Sequence, residues 1–350
     1  MALALWGAAP VAGSGLDCST IPDGPPSPSP SFLVPVKYKT IGNNRIAYRL
    51  VSNTCPQACF RGGQELVVPP PPLVLVPGYG WTIASWGTRF LRRLARNHDL
   101  ILFDSPAQGL STEIVPSNEP LGRDVLRQTI RAFLESLGLP RLNLAGWSIG
   151  GTLALAIAAE NPPWLNKVVS FGGFSFDSKA VLGDPSVLQP FFNPTNTNED
   201  DAPYFFNTTP RQARQRRLIV DCRQLGREDR WIADVGAMPS DPPKPEANLR
   251  YSTGLVGSLI PGDTSVWEAL AQTRVPIFLM GGTDDVLIPK AAQLGLVQQI
   301  PDAWLAQFPG TGHAFQAEKV EEVVSAMDAF LLGGAPCAGS SSGCARFNSG

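Results

Sequence analysis

The chain has 350 residues and 43% apolar content, enough to bury a large core, so a mainly disordered protein is excluded. Its 28 lysines and arginines nearly balance 30 aspartates and glutamates, and the resulting net charge of −2 argues against a nucleic-acid partner. No apolar run approaches the roughly 20 residues of a membrane-spanning helix, so no membrane span is expected.

The first 31 residues differ from the rest of the chain. Residues 2–12 are apolar, small residues follow them, and the proline-rich stretch DGPPSPSPS begins at Asp23. Proline disfavours helices, and an apolar start is typical of a signal peptide, although no lysine or arginine precedes this one. We therefore expect 1–31 to be either a disordered tail or a signal-like leader.

The next residues alternate between strand and helix patterns. The alternating runs 36–40 and 45–51 flank Gly42-Asn43-Asn44, which predicts a β-hairpin. Further strand patterns lie at 73–76, 100–103, 142–145, 167–171, 277–280 and 304–308, and helical patterns at 85–96, 121–137, 150–159, 267–272, 291–300 and 320–332. This alternation predicts an α/β fold with a doubly wound, mostly parallel sheet.

A polar, proline- and aromatic-rich block interrupts the alternation at 175–263. It is too long for an ordinary loop, so we expect an inserted cap between the two parts of the core, 32–174 and 264–332. A small, polar C-terminal tail is expected at 333–350. The aromatic residues of the cap either line a substrate pocket or form the cap's own small core, and they are Phe191, Phe192, Tyr204, Phe205, Phe206, Trp231 and Tyr251.

A candidate nucleophile follows the strand pattern at 142–145. Gly146-Trp147-Ser148-Ile149-Gly150 matches G-x-S-x-G and stands between a strand and a helix. In that context the motif predicts a sharp turn that presents the Ser148 hydroxyl at a helix N-terminus, where free N–H groups can stabilise an oxyanion.

The chain has two histidines that could act as the base for Ser148. His313 follows strand 304–308, at the sheet edge where open α/β sheets carry their chemistry, so we predict that it is the base. His98 lies in the polar sequence Arg-Asn-His-Asp and is expected to be a solvated loop residue.

The acid that orients His313 is expected after strand 277–280. Asp284 and Asp285 both stand there; Asp285 is favoured by its spacing to Pro289 in related sequences, and Asp284 is expected to face solvent or cap a turn. Asp177 is a more distant alternative. The order Ser148, Asp285, His313 is typical of one particular fold.

These motifs resemble the α/β-hydrolase superfamily. The resemblance rests on GWSIGG at 146–151, GGTDDVLIP at 281–289 and GTGHAFQAEKVEEV at 310–323, and covers roughly 36–332 apart from the cap. The elbow is most similar to carboxylesterases, cofactor-free haloperoxidase-like proteins and general hydrolases of the AB hydrolase-1 type. The resemblance implies an eight-stranded, mainly parallel sheet flanked by helices, with an antiparallel hairpin at its start.

The resemblance also implies an oxyanion hole. The loop after strand 73–76 carries Pro77-Gly78-Tyr79-Gly80 where the family usually has His-Gly, so the N–H groups of Tyr79 and Ile149 are the expected donors. Gly78, Tyr79 and Trp147 are expected to line the substrate site. In a second departure, the loop that begins at Asp104 has Pro106 and Ala107 where the family has Arg-Gly.

The expected activity is a serine hydrolase that cleaves a small-molecule carboxylic ester or related acyl compound, with no cofactor and no metal. An acyltransferase, thioesterase or C–C hydrolase with the same triad is an alternative. A second alternative is a non-catalytic ligand receptor on a hydrolase scaffold. The complete set of serine, aspartate and histidine disfavours this alternative.

The cysteines give an indication of the cellular compartment of the protein. Their even number and peripheral placement predict disulfides, and Cys55–Cys59 and Cys337–Cys344 are plausible local pairs whose connectivity stays open. We therefore expect a secreted or lumenal protein, and otherwise a cytoplasmic one. The six cysteines are Cys18, Cys55, Cys59, Cys222, Cys337 and Cys344.

Overall fold

The computed structural model covers the predicted core almost completely. It describes residues 34–52, 70–79, 81–174, 250–251, 253–254, 265–285, 287–334, 336 and 343–347. The N-terminal tail to residue 33, nearly all of the predicted cap with Asp177, and every cysteine except Cys344 lie outside the described residues. Cys344 forms a disulfide.

The strands form one mixed sheet. Its order is β1-β2-β4-β3-β6-β7-β8-β9-β10, with the short β5 paired to β2. Pairing is parallel from β4 through β3, β6, β7 and β8 to β9, and antiparallel for β1, β2, β5 and β10. The strands are β1 (Lys37–Ile41), β2 (Asn44–Val51), β3 (Leu73–Val76), β4 (Leu100–Phe103), β5 (Thr112–Glu113), β6 (Leu142–Trp147), β7 (Leu165–Phe171), β8 (Ile277–Gly282), β9 (Trp304–Phe308) and β10 (Gly343–Arg346).

Helices cover the sheet and follow the predicted patterns within a few residues. A short 3₁₀ helix at Ile83–Trp86 replaces the start of the first predicted helix. The α-helices are α1 (Thr88–Leu94), α2 (Arg123–Ser136), α3 (Ile149–Ala159), α4 (Ser265–Leu270), α5 (Lys290–Val297), α6 (Phe315–Glu318) and α7 (Val320–Leu331). None of the described helices is both long and apolar enough to cross a bilayer.

The core lies on both faces of the parallel strands. All four residues of β3 and all four of β4 are buried, because a parallel strand in the middle of the sheet has helices on both sides. The helix α3 is buried along its whole length and packs on β6 and β7, which explains why it is apolar on every face. This rigid centre fixes the loops at the carboxyl ends of β3 and β6.

The hairpin and the mostly parallel sheet are confirmed. The eight strands that the resemblance implies are β1–β4 and β6–β9, and the described residues add the short strands β5 and β10. Strand β10 comes from the segment that was expected to be a polar tail. It pairs with β9, where Cys344 lies opposite Ala306, and so forms one edge of the sheet.

The expectation for His98 was wrong. This side chain is fully buried, and its Nε2 lies 2.9 Å from Oδ1 of Asp328 on α7. The second oxygen of Asp328 accepts hydrogen bonds from Arg93 Nη1 (3.1 Å) and Asn97 Nδ2 (2.6 Å). The polar local sequence predicted that His98 is exposed to solvent, but α7 places the carboxylate of Asp328 within hydrogen-bond distance of these donors. His98 thus joins α1 to α7, at the amino end of β4.

Candidate active site

Four of the predicted site residues follow parallel strands. Tyr79 follows β3, Ser148 follows β6, Asp285 follows β8 and His313 follows β9. The order in which strands are added to the sheet reverses at β3. Strand β4 pairs with one side of β3, and β6, the next parallel strand in the chain, pairs with the other side. Such a switch point leaves a crevice at the carboxyl edge. All four residues therefore lie at one edge of the sheet.

Ser148 has a strained backbone at the start of α3. Its φ of 56° and ψ of −123° lie in a region that non-glycine residues rarely adopt, at a cost of about 1–3 kcal/mol. The turn is held by hydrogen bonds from Ser148 N to Phe171 O (2.7 Å) and from Thr152 N to Ser148 O (3.1 Å). Neighbouring backbone leaves no room for a side chain at Gly146, where a Cβ would lie 2.2 Å from Gly150 O.

His313 and Asp285 form a buried pair. His313 Nδ1 lies 2.7 Å from Asp285 Oδ2, and the two residues are only 2% and 4% exposed. The other carboxylate oxygen, Oδ1, accepts hydrogen bonds from the N–H groups of Leu287 and Ile288, each at 2.9 Å. With Nδ1 engaged, Nε2 of the imidazole remains for proton transfer. Asp284, in contrast, is exposed and accepts a bond from Thr283 Oγ1.

The elbow supports the histidine through Trp147. The indole Nε1 donates to the carbonyl oxygen of His313 at 3.0 Å, and the two rings lie 5.5 Å apart between centroids. The indole also packs edge-on against Trp81, with the ring centroids 4.8 Å apart. Trp147 is 2% exposed, and its bond ties His313 to the residue before Ser148. Its expected place in the lining of the substrate site stays a prediction.

A second support for His313 is Glu318, which sequence reasoning missed. Its buried carboxylate accepts a hydrogen bond from Gly312 N at 2.7 Å and thereby fixes the peptide just before His313. A glutamate in the first turn of the short helix α6 gives no sequence signal of burial. Only the contact between α6 and the loop after β9 identifies it.

The loop after β3 reaches the elbow. A Cβ placed on Gly78 would lie 3.4 Å from Ser148 Cβ and 3.3 Å from Trp147 O, so a larger residue would press on the elbow. Tyr79 follows and is half-buried. Ile149 is the first residue of α3, and its N–H therefore has no acceptor in a preceding helical turn. Both N–H groups belong to backbone that borders Ser148.

The loop after β4 is structural. Asp104 Oδ1 accepts from Ile83 N at 2.7 Å, and Oδ2 accepts from Leu110 N at 2.8 Å. Ala107, which replaces a family glycine, keeps a left-handed backbone with φ of 58°. This conformation explains why the family pattern has glycine at the position. The departure noted in the sequence therefore leaves the fold of this loop intact.

The described part of the chain holds no cluster of three or more histidine, cysteine, aspartate or glutamate side chains that could bind a metal ion. Among the described residues, those at the carboxyl edge offer a hydroxyl, an imidazole, a carboxylate and backbone N–H groups. A parallel sheet with these groups on its loops is the arrangement of the α/β-hydrolase fold.

Comparison with known proteins gives the family. A model described as "Alpha/beta hydrolase family" matches residues 73–326, and the chain belongs to this family. Two curated relatives are similar. One is a 2-hydroxy-6-oxononadienedioate/2-hydroxy-6-oxononatrienedioate hydrolase of Burkholderia vietnamiensis, 27% identical over 71% of this chain and 83% of that protein. The other is a pimeloyl-(acyl-carrier protein) methyl ester esterase of Nitrosomonas europaea, 24% identical over 74% and 95%.

Solved structures support the same fold. The enol-lactonase from Burkholderia xenovorans LB400 superimposes with a TM-score of 0.62 at 19% identity, over 85% of this chain and all of that chain (100%). An alpha/beta hydrolase fold protein from Chitinophaga pinensis gives 0.62 at 18% identity, over 87% and 99%. The predicted superfamily and fold are thus confirmed.

Proposed function

We propose that the protein is a serine hydrolase that cleaves a carboxylic ester or related acyl compound through an acyl-enzyme on Ser148. One observation carries the proposal. A strained serine begins a helix at the carboxyl edge of the sheet, and the same edge holds a buried histidine whose Nδ1 is engaged by Asp285 at 2.7 Å. Such a group of residues is recognised by the role of each member.

In the first half of the reaction, His313 Nε2 takes the proton of the Ser148 hydroxyl. The serine oxygen attacks the substrate carbonyl carbon and forms a tetrahedral intermediate, whose oxyanion accepts hydrogen bonds from the N–H groups of Tyr79 and Ile149. The imidazolium then gives its proton to the leaving alcohol oxygen as the carbon–oxygen bond breaks. Asp285 holds the imidazole in the required tautomer and stabilises its positive charge.

In the second half, a water molecule replaces the alcohol. His313 takes one of its protons, the hydroxide oxygen attacks the acyl carbon, and the same two N–H groups bind the new oxyanion. When the bond to the serine oxygen breaks, the proton returns from His313 to Ser148 and the carboxylic acid leaves. No electron transfer occurs and no cofactor takes part.

Labelling with a fluorophosphonate probe tests the proposal. The folded protein is expected to be labelled, and Ser148→Ala should lose both labelling and hydrolysis of a short p-nitrophenyl ester. Ser136→Ala, a serine at the end of α2 and remote from the site, is the matched control and should keep both. Absence of labelling in the wild type would favour the non-catalytic receptor, and full activity of Ser148→Ala would exclude the serine mechanism.

The substrate class can be tested with a panel of compounds. One of the curated relatives is named as a methyl ester esterase, and the other as a hydrolase of hydroxy-oxo dicarboxylates. Esters of increasing acyl length, a thioester and a vinylogous 1,5-diketone acid should therefore be compared by kcat/KM. The proposal expects the oxygen esters to be preferred, whereas preference for the diketone acid would favour carbon–carbon bond cleavage by the same residues.

We also propose that the protein acts in an oxidising compartment, secreted or lumenal. The disulfide at Cys344 supports this, since disulfides are rare in the cytosol. Thiol alkylation of the native protein without reductant, followed by mass spectrometry, is expected to leave Cys344 unmodified. Alkylation of Cys344 in protein taken from its natural source would overturn the proposal.

A further inference from the structure

Tyr251 is the one aromatic residue of the predicted cap that lies among the described residues. It is 2% exposed, and its ring meets the ring of Tyr79 edge to face, with the centroids 5.8 Å apart and the planes at 71°. Such aromatic pairs are favourable beyond the area that they bury. The end of the cap segment is therefore packed directly on the residue whose N–H is the proposed oxyanion donor.

The segment that carries Tyr251 is firmly attached to the core through Arg250. The guanidinium forms a two-point ion pair with Glu113, with Nη1–Oε2 at 2.6 Å and Nη2–Oε1 at 3.0 Å. Its Nε donates to Glu119 O at 2.7 Å, and Arg250 O accepts from Leu121 N at 3.0 Å. Paired hydrogen bonds of this kind fix geometry as well as adding energy. Tyr251 is thus presented from a fixed point.

The phenol of Tyr251 is enclosed. Burial raises its pKa, with Ser105 as the neighbouring side chain that opposes the shift, so the hydroxyl stays protonated throughout an enzyme assay. The ring contact with Tyr79 is the interaction that links Tyr251 to the candidate site.

We propose that Tyr251 is a positioning residue that holds the Tyr79 side chain, and through it the Tyr79 peptide N–H, in place for the oxyanion. The inference rests on the serine hydrolase proposed above. On the other side of this loop, Gly78 is packed against Trp147 and Ser148. The loop after β3 is therefore clamped between the elbow and the last part of the cap segment, and the N–H of Tyr79 has little freedom to turn away.

A double-mutant cycle tests whether Tyr251 acts through Tyr79. The variants are Tyr251→Leu, Tyr79→Leu and the double variant, all of which keep the backbone N–H of residue 79. Complete loss of an oxyanion donor costs about 10²–10³ in kcat, so we expect displacement of this donor to cost about tenfold in either single variant. If the two side chains form one unit, the double variant should also lose about tenfold, because nothing remains to be lost.

Four further measurements sharpen the result. In Tyr251→Leu, KM should stay within about twofold, since only the transition state loses an interaction, and the rate of fluorophosphonate labelling should fall with kcat. Tyr251→Phe keeps the ring and should stay within about threefold of wild type. Phe330→Leu removes another buried ring, which packs on Phe278 remote from the site, and should leave kcat unchanged. Tyr251→Met, which keeps more volume, replaces Tyr251→Leu in the cycle if the latter does not fold.

The outcomes separate the two proposals. A loss of about 100-fold in the double variant, an unchanged kcat in Tyr251→Leu, or a raised KM with unchanged kcat would each overturn the positioning role while leaving the serine hydrolase intact. A wild-type protein that neither hydrolyses esters nor reacts with the probe would overturn the proposed function, and the role of Tyr251 with it.

Discussion

Gly172 lies directly against the imidazole of His313. A Cβ built on Gly172 would stand 3.1 Å from His313 Cε1 and 3.2 Å from Nδ1, which is tighter than side chains normally pack. Gly172 follows β7 with a φ of +55°, and its N–H is bonded to Met280 O at 2.8 Å, so its backbone cannot easily move away. The end of β7 therefore packs against the pair of His313 and Asp285, and at position 172 only glycine leaves enough room for the imidazole.

Gly172→Ala should displace His313. We expect kcat for ester hydrolysis to fall by about tenfold or more, since small misplacements of catalytic groups can cost up to about 10². Gly42→Ala is a matched control, because Gly42 has nearly the same φ of +54° but nothing within 4 Å of its Cβ position. Both variants should lose about 1 kcal/mol of stability from backbone strain, and only Gly172→Ala should lose activity. Equal kcat values in the two variants would contradict the contact.

Asp285→Asn tests the acid. Asparagine can keep the acceptor for Leu287 N and Ile288 N, but its amide N–H would then face Nδ1 of His313 and favour the wrong tautomer. A fall in kcat of about 10³–10⁴ is expected by analogy with serine proteases. The exposed neighbour offers the control Asp284→Asn, which should stay within about twofold of wild type. A larger loss in Asp284→Asn than in Asp285→Asn would reverse the assignment.

Glu318 is expected to act as a hydrogen-bond acceptor. Glu318→Ala leaves the buried Gly312 N–H without a partner, which costs about 1–3 kcal/mol and should lower both the melting temperature and kcat. Glu318→Gln keeps an acceptor oxygen and should restore most of both. Glu322→Ala, on the exposed side of α7, should change neither. If Glu318→Gln is as impaired in kcat as Glu318→Ala, the negative charge rather than the hydrogen bond is what matters.

Asp328→Ala should reduce stability and leave catalysis unchanged. The variant removes the partner of the buried His98 and of Arg93, and breaking such a cluster costs about 3 kcal/mol. Because His98 precedes β4, the cluster lies at the amino edge of the sheet, opposite the candidate site. Urea unfolding and kcat measure the two effects. Asp124→Ala, whose side chain is 48% exposed, should cost under about 1 kcal/mol. A large loss of kcat at full stability would show an unexpected link to the site.

The secondary structure of the core could be predicted closely because its signals are local. Strands β3, β4 and β9 have the predicted bounds, since short apolar runs in this chain are interrupted by polar or glycine-rich turns. Strand β10 could not be predicted. Its sequence, Gly-Cys-Ala-Arg, has no strand pattern, and pairing with the edge of β9 supplies the reason for its conformation.

The candidate site, too, could be predicted from the sequence only in part. Ser148, Asp285 and His313 carry motifs with fixed spacing, so the sequence identified them as candidates. Glu318 and Tyr251 carry none, because their contacts join residues from separate parts of the fold. The error for His98 has the same origin, since its partner Asp328 lies 230 residues further along the chain. Local sequence patterns therefore do not predict contacts between residues that are far apart in the sequence.

Strand β10 also changes the exposed edge of the sheet. Without it, β9 would present an open row of N–H and C=O groups at the border of a parallel sheet, and such borders recruit strands from other molecules. Pairing with Gly343–Arg346 occupies these groups, and the Cys344 disulfide secures the short strand that does so. The edge of the sheet is thus a strand of four residues, and a short edge strand offers little length for pairing with another chain.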